Sequence, residues 1–271
     1  MHERISVNSL CFPGAKLGDL AGYWRSLGAR RVSFITPLLL GENVGAAREA
    51  LTSGSYQLET IAHGPLVAGP LTPDEASWRE GQEAVNRMIR AAAELGGRSV
   101  YVLTGGHGTN TWEEAAKLFS TAVAPCLAAA KAAGVALAFE TALPLYADFH
   151  IAHSLRDSVT LAEISGVGIC VDLYHCWTEA GLKDSIKRAV PYCDLVQVSD
   201  YVYGDRSLPS RAVPGDGVIP LQRLIGWLLE AGYKGAFDFE LLGPRIDKVG
   251  HYEAVRRAGD HVSKILQSLG A

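Results

Sequence analysis

The chain has 271 residues, 48% of them hydrophobic, enough for a substantial core built as one large α/β domain or as two small ones. A formal net charge of −4 and a pI near 6.1 give no basic field for a polyanion, and no segment carries a Lys/Arg cluster, which argues against nucleic acid as a partner. The opening MHERISVNSL has no apolar signal region, no apolar run approaches the roughly 20 residues a bilayer requires, and five cysteines without a C-x-x-C pair suit a reducing compartment. A cytoplasmic protein without disulfides, thiolate metal site or membrane contact is therefore expected.

Along the chain, short β-rich runs alternate with longer helical patterns, eight of each. The first three strands are expected at Ile5 to Leu10, Arg31 to Thr36 and Gln57 to Ala62. Thr72-Pro73-Asp74-Glu75 then predicts a helix start, with a capping threonine, proline in the first helical position and a glutamate three residues on. After a strand at Ser99 to Leu103, Thr111-Trp112-Glu113-Glu114 repeats the capping-box spacing, and Gly134 sits where that helix should stop. Strands follow at Ala136 to Glu140, Gly168 to Asp172 and Leu195 to Ser199. Tyr201 to Val218 has no periodicity, and connections that long in a compact barrel tend to be functional or mobile. A helix stopping near Gly232 leads to a strand at Ala236 to Glu240.

Eight strand-then-helix units in about 250 residues have the size and order of a (β/α)8 TIM barrel, here one domain over residues 1–271. A doubly wound sheet would more often carry a Gly-rich phosphate turn after its first strand, and Ser9-Leu10-Cys11-Phe12-Pro13-Gly14 contains no G-x-G-x-x-G.

In such a barrel the C-terminal strand ends open on one face, so polar residues at those ends converge. They are His63, His107, Glu140, Asp172, His175, Gln197 and Glu240. Singly, a glutamate closing a strand is more often solvated or a helix cap, a lone histidine more often a hydrogen-bonded core residue, and a glutamine a barrel-interior partner. Together, three carboxylates in a half-buried space repel one another, so either some are protonated or a cation neutralises them, the cation being the simpler answer. Glu140, Asp172, Gln197 and Glu240 form an all-oxygen set that suits one hard divalent ion, with Mn²⁺ preferred and Mg²⁺ or Co²⁺ as alternatives, better than Zn²⁺. Asp200 is a further candidate beside them, and His63 and His107, among glycines, line the mouth.

The segments FET at 139–141, VDLYH at 171–175, VQVSD at 196–200, PGDGVIPL at 214–221 and GYKGAFDFE at 232–240 resemble the xylose isomerase-like TIM-barrel superfamily of sugar isomerases, ketose 3-epimerases, inosose and 3-dehydroshikimate dehydratases and endonuclease IV. The resemblance covers about residues 5 to 265. It implies a Glu, Asp, His, Glu metal set falling on Glu140, Asp172, Gln197 and Glu240, with glutamine replacing the usual histidine as in some dehydratases. Endonuclease IV needs further ligands, which Gln197 and Ser210-Arg211-Ala212 do not supply. What is implied is a metal-dependent isomerase or epimerase of a sugar or keto-polyol, working through an enediolate on a small-molecule carbohydrate. Glu140 and Glu240 are then ligands that also exchange the proton, His175 is an acid/base or hydrogen-bonding group, and His63, His107, Arg206 and Arg211 contact substrate. A lyase on the same site, a dehydratase or a 3-keto-glycoside deglycosidase, and a non-catalytic binding subunit are the alternatives. Family members often pair, so a homo-oligomer is compatible.

Overall fold

The computed structural model describes residues 1–41 and 44–271, with backbone alone at 40, 41 and 63. Its eight parallel strands hydrogen-bond in chain order and close into a barrel, the expected (β/α)8 architecture. They are β1 Ile5–Asn8, β2 Arg31–Ile35, β3 Gln57–Pro65, β4 Ser99–Leu103, β5 Ala136–Glu140, β6 Gly168–Asp172, β7 Cys193–Val198 and β8 Phe237–Phe239. β4, β5 and β6 have the expected bounds. β1 stops two residues early because Asn8 Oδ1 accepts the Leu10 N–H and turns the chain into a 3-10 turn, Ser9–Cys11. Ser199 and Glu240 lie just beyond β7 and β8, and β3 runs three residues further, to Pro65. No helix among the described residues is long and apolar enough to cross a membrane.

The Thr111 capping box forms as expected: Thr111 Oγ1 accepts the Glu114 N–H at 3.3 Å and Glu114 Oε2 accepts the Thr111 N–H at 2.8 Å. Gly134, at φ 68, closes that helix, Trp112–Ala133. Thr72, by contrast, does not cap. Asp74 takes the capping role, accepting the Ala76 N–H at 3.0 Å before a 3-10 turn, Glu75–Trp78, and the α-helix begins only at Arg79. Burying Trp78 decides this: its indole N–H donates to the Thr72 carbonyl at 3.1 Å, so Thr72 lies outside the helical turn. Gly232 follows the helix Leu221–Glu230, for which Ala231 is the last capping residue.

Packing divides the chain into two units, Met1–Glu59 with Leu195–Ala271, and Thr60–Asp194. In the first, Val7 pairs with Val32 on one side and Phe239 on the other, and Trp24 packs against Phe34 at 5.9 Å and edge-on to Tyr56 at 5.3 Å. Its buried polar row is Ser6, Asn8, Ser33 and Asp238, with Asn8 Nδ2 and Ser33 Oγ each donating to Asp238 at 2.8 Å. Burial pushes the Asp238 carboxyl up to about 7, against those hydrogen bonds. In the second unit, Phe139 meets Phe119 of the helix Trp112–Ala133 edge-on at 5.8 Å. Side chains alternate along a strand, so Phe139 facing the helix turns Glu140 to the opposite face.

Candidate active site

Within the unit Thr60–Asp194, β5 ends on Glu140 and β6 on Asp172. Asp172 uses one oxygen locally: Oδ1 accepts the Tyr174 N–H at 2.9 Å and starts a single helical turn, Leu173–Cys176. That turn brings His175 back over the strand ends, placing its Nε2 3.4 Å from Asp172 Oδ2 and 4.0 Å from Glu140 Oε1. The three residues are at most 7% exposed, and one ligand atom from each lies within 4.8 Å of the others. A buried carboxylate pair beside an imidazole is a donor set for a divalent cation, because two negative charges removed from water need a counter-charge. The set is a possible metal site, and it includes His175, which the sequence placed in catalysis only.

Two tyrosine rings flank His175. Tyr146 and Tyr174 stand edge-on to His175, at 5.6 and 5.1 Å. His107 stacks on His153 at 5.9 Å, and His153 Nδ1 lies 3.1 Å from the Ala142 carbonyl. Burial, with His153 nearby, lowers the His107 pKa. His150 is 2% exposed, and its Nδ1 has no hydrogen-bond partner among the described residues. Burial, together with His175 and His153, takes its pKa down to about 3, so it stays neutral at physiological pH. His150 and His153 were missed in the sequence because they lie in the aperiodic stretch between Thr141 and Leu155. His63 is in β3, and its side chain falls outside the described residues.

In the unit containing β7 and β8, Gln197 Nε2 donates to Glu240 Oε2. Glu240 Oε1 pairs with Arg211 Nη2 at 2.7 Å, and Arg211 Nη1 donates to Ser199 Oγ at 3.0 Å. Arg211 is 3% exposed, so this buried guanidinium offsets the Glu240 charge. Arg206 is exposed, donating to Tyr201 Oη at 2.8 Å and to the Asp205 carbonyl at 3.0 Å within its own loop. Asp200 is an anchor: both carboxylate oxygens are taken by backbone N–H groups of Tyr201, Gly215, Gly217 and Ile219.

The model of the xylose isomerase-like TIM barrel family matches residues 27–262. No curated protein matches by sequence. Among solved structures, a protein from Sinorhizobium meliloti 1021 superposes with a TM-score of 0.87 at 23% identity, covering 97% of this chain and 98% of its own. The IolI protein, with a zinc atom bound, has a TM-score of 0.83 at 16% identity and coverage of 98% and 99%. An L-ribulose 3-epimerase has a TM-score of 0.83 at 19% identity and coverage of 99% and 96%. At these identities the likeness is one of fold.

Proposed function

Since the chain belongs to the xylose isomerase-like TIM barrel family, we propose that it is a divalent-metal-dependent isomerase or epimerase of a sugar or keto-polyol, working through an enediolate. The buried cluster of Glu140, Asp172 and His175 carries the reading. We assign metal binding to Glu140, Asp172, Gln197 and Glu240, the polar ends of β5 to β8 in a closed barrel. Manganese suits a donor set dominated by oxygen with an imidazole beside it. Bound there, the ion would act as a Lewis acid, acidifying the C–H next to a substrate carbonyl.

The protein's own groups do the rest. Glu140 and Glu240 are carboxylates able to take and return a carbon-bound proton, which requires an approach of about 3 Å. His175, 3.4 Å from Asp172, is held to donate a hydrogen bond to a substrate oxygen or to protonate it. Arg211 places a fixed positive charge beside Glu240, and a preorganised charge of this kind stabilises a developing oxyanion. His107 and Arg206 are substrate contacts in this reading, and so is His63.

Gln197 in place of the family's histidine favours a second reading, a lyase in which the same enolate expels a β-substituent. Manganese-loaded protein incubated with ketoses in D₂O separates the two. Deuterium at an α-carbon with no loss of water or aglycone supports the isomerase, and such loss supports the lyase. No exchange together with no retained metal would refute both and leave a binding subunit.

A further inference from the structure

The geometry points to a second, apolar subsite beside Glu240 that receives a ring-sized hydrocarbon or aromatic group of the substrate. The observation is a cavity of about 510 Å³ where the chain leaves β1 and β2. Val7 of β1 lies opposite Phe239 of β8, so the two strands run out side by side, one toward Ser9 and the other toward Glu240. The fully buried Cys11 ties them, its thiol donating to the Phe239 carbonyl at 3.3 Å. Glu240 follows Phe239 directly, so this hydrogen bond sets Cys11, which lies between the lining residues Leu10 and Phe12, beside the strand end that carries the carboxylate assigned to the reaction.

Leu10, Phe12, Pro13, Ile35, Pro37 and Leu38 supply the wall among the described residues. Phe12 is held flat by stacking on Tyr23 at 4.9 Å. Ser9, the hydroxyl on this wall, already accepts the Ile35 N–H at 3.0 Å, and Lys16 is the one charged residue in the described lining. A bare ketose carries a hydroxyl or carbonyl on every carbon, and each needs a partner when buried. This wall offers almost none, whereas an aryl or alicyclic ring needs none and gains by leaving water. The substrate class is therefore a sugar or polyol with an apolar ring attached: the polyol end is presented to Glu240 and Arg211 and the ring fills the cavity.

The inference rests on the site reading above for the polyol end alone, and it is tested without turnover. Saturation-transfer NMR and calorimetry would compare phenyl β-D-glucopyranoside with methyl β-D-glucopyranoside on the wild-type protein, with and without manganese. Phenyl should bind at least about 10-fold tighter, with transfer concentrated on the ring protons. Ala15→Trp, which fills the cavity from a half-exposed position, and Leu38→Gln should each remove that preference while manganese affinity stays unchanged. Equal binding of the two glucosides, or a preference that survives Ala15→Trp, would overturn the proposal. So would a wild-type dimer, seen by light scattering, that Ala15→Trp dissociates, because the cavity would then seat a second copy of this chain. A phenyl preference in protein that retains no manganese would leave the subsite standing and refute the metal reading instead.

Discussion

Asp200→Asn should destabilise the protein strongly although it changes one atom. Asp200 is 1% exposed. Its Oδ1 accepts the N–H groups of Tyr201 at 2.8 Å and Ile219 at 3.0 Å, and its Oδ2 those of Gly215 at 2.9 Å and Gly217 at 3.0 Å. Its backbone also exchanges two hydrogen bonds with Ala212, at 2.9 and 2.8 Å, so one residue ties down the connection from Tyr201 to Val218. Gly217 belongs to the same device, since a Cβ there would run into the Asp200 carboxylate and the Tyr201 carbonyl. An amide keeps one acceptor oxygen; either way it turns, its NH₂ faces two backbone N–H groups. Hydrogen bonds to a charged group contribute about 1.5–3 kcal/mol each, so losing two, with some relaxation, costs about 3–5 kcal/mol. For a chain of this size that lowers Tm by about 10 °C. Urea titration and calorimetry would measure it. A loss under about 1 kcal/mol with unchanged m-value would refute the anchoring role.

Two further substitutions probe separate parts of the account. His175→Ala should keep manganese affinity within about 10-fold while turnover falls at least about 100-fold; a loss of metal as large as that in a ligand variant would make His175 a ligand instead. Asp194, whose carboxyl burial raises from the ordinary 3.8 to about 6, binds a proton more tightly folded than unfolded. Its contribution to stability is complete below about pH 4 and is lost as pH rises through 6, a change on the order of 2 kcal/mol. Asp194→Asn should therefore be more stable than wild type at pH 7.5 and nearly equal at pH 4 by denaturant titration, and the reverse order would contradict the assignment.

The barrel was legible because its middle strands are apolar runs bounded by glycine and a helix cap, as in Gly134 before β5. The same regularity exposed Glu140 and Asp172, costly groups at the ends of buried strands. What stayed hidden depends on contacts distant in sequence. Asp238 is masked inside FDFE because parallel strands are buried on both faces, so alternation does not mark which face is polar. The pairing of Arg211 with Glu240 joins residues 29 positions apart through an aperiodic loop, and spacing reveals nothing of it. Thr72 shows the limit of a capping pattern, which a buried tryptophan nearby displaced by two residues.

Calorimetric titration of manganese into the wild type and Asp172→Asn tests the central claim most directly. Asparagine can still accept the Tyr174 N–H, so the helical turn over the strand ends should survive, as circular dichroism would verify. One ion per chain in the wild type, with affinity at least about 100-fold weaker in the variant, is the predicted result. Undiminished binding in Asp172→Asn, or none in the wild type, would contradict a metal held at this cluster.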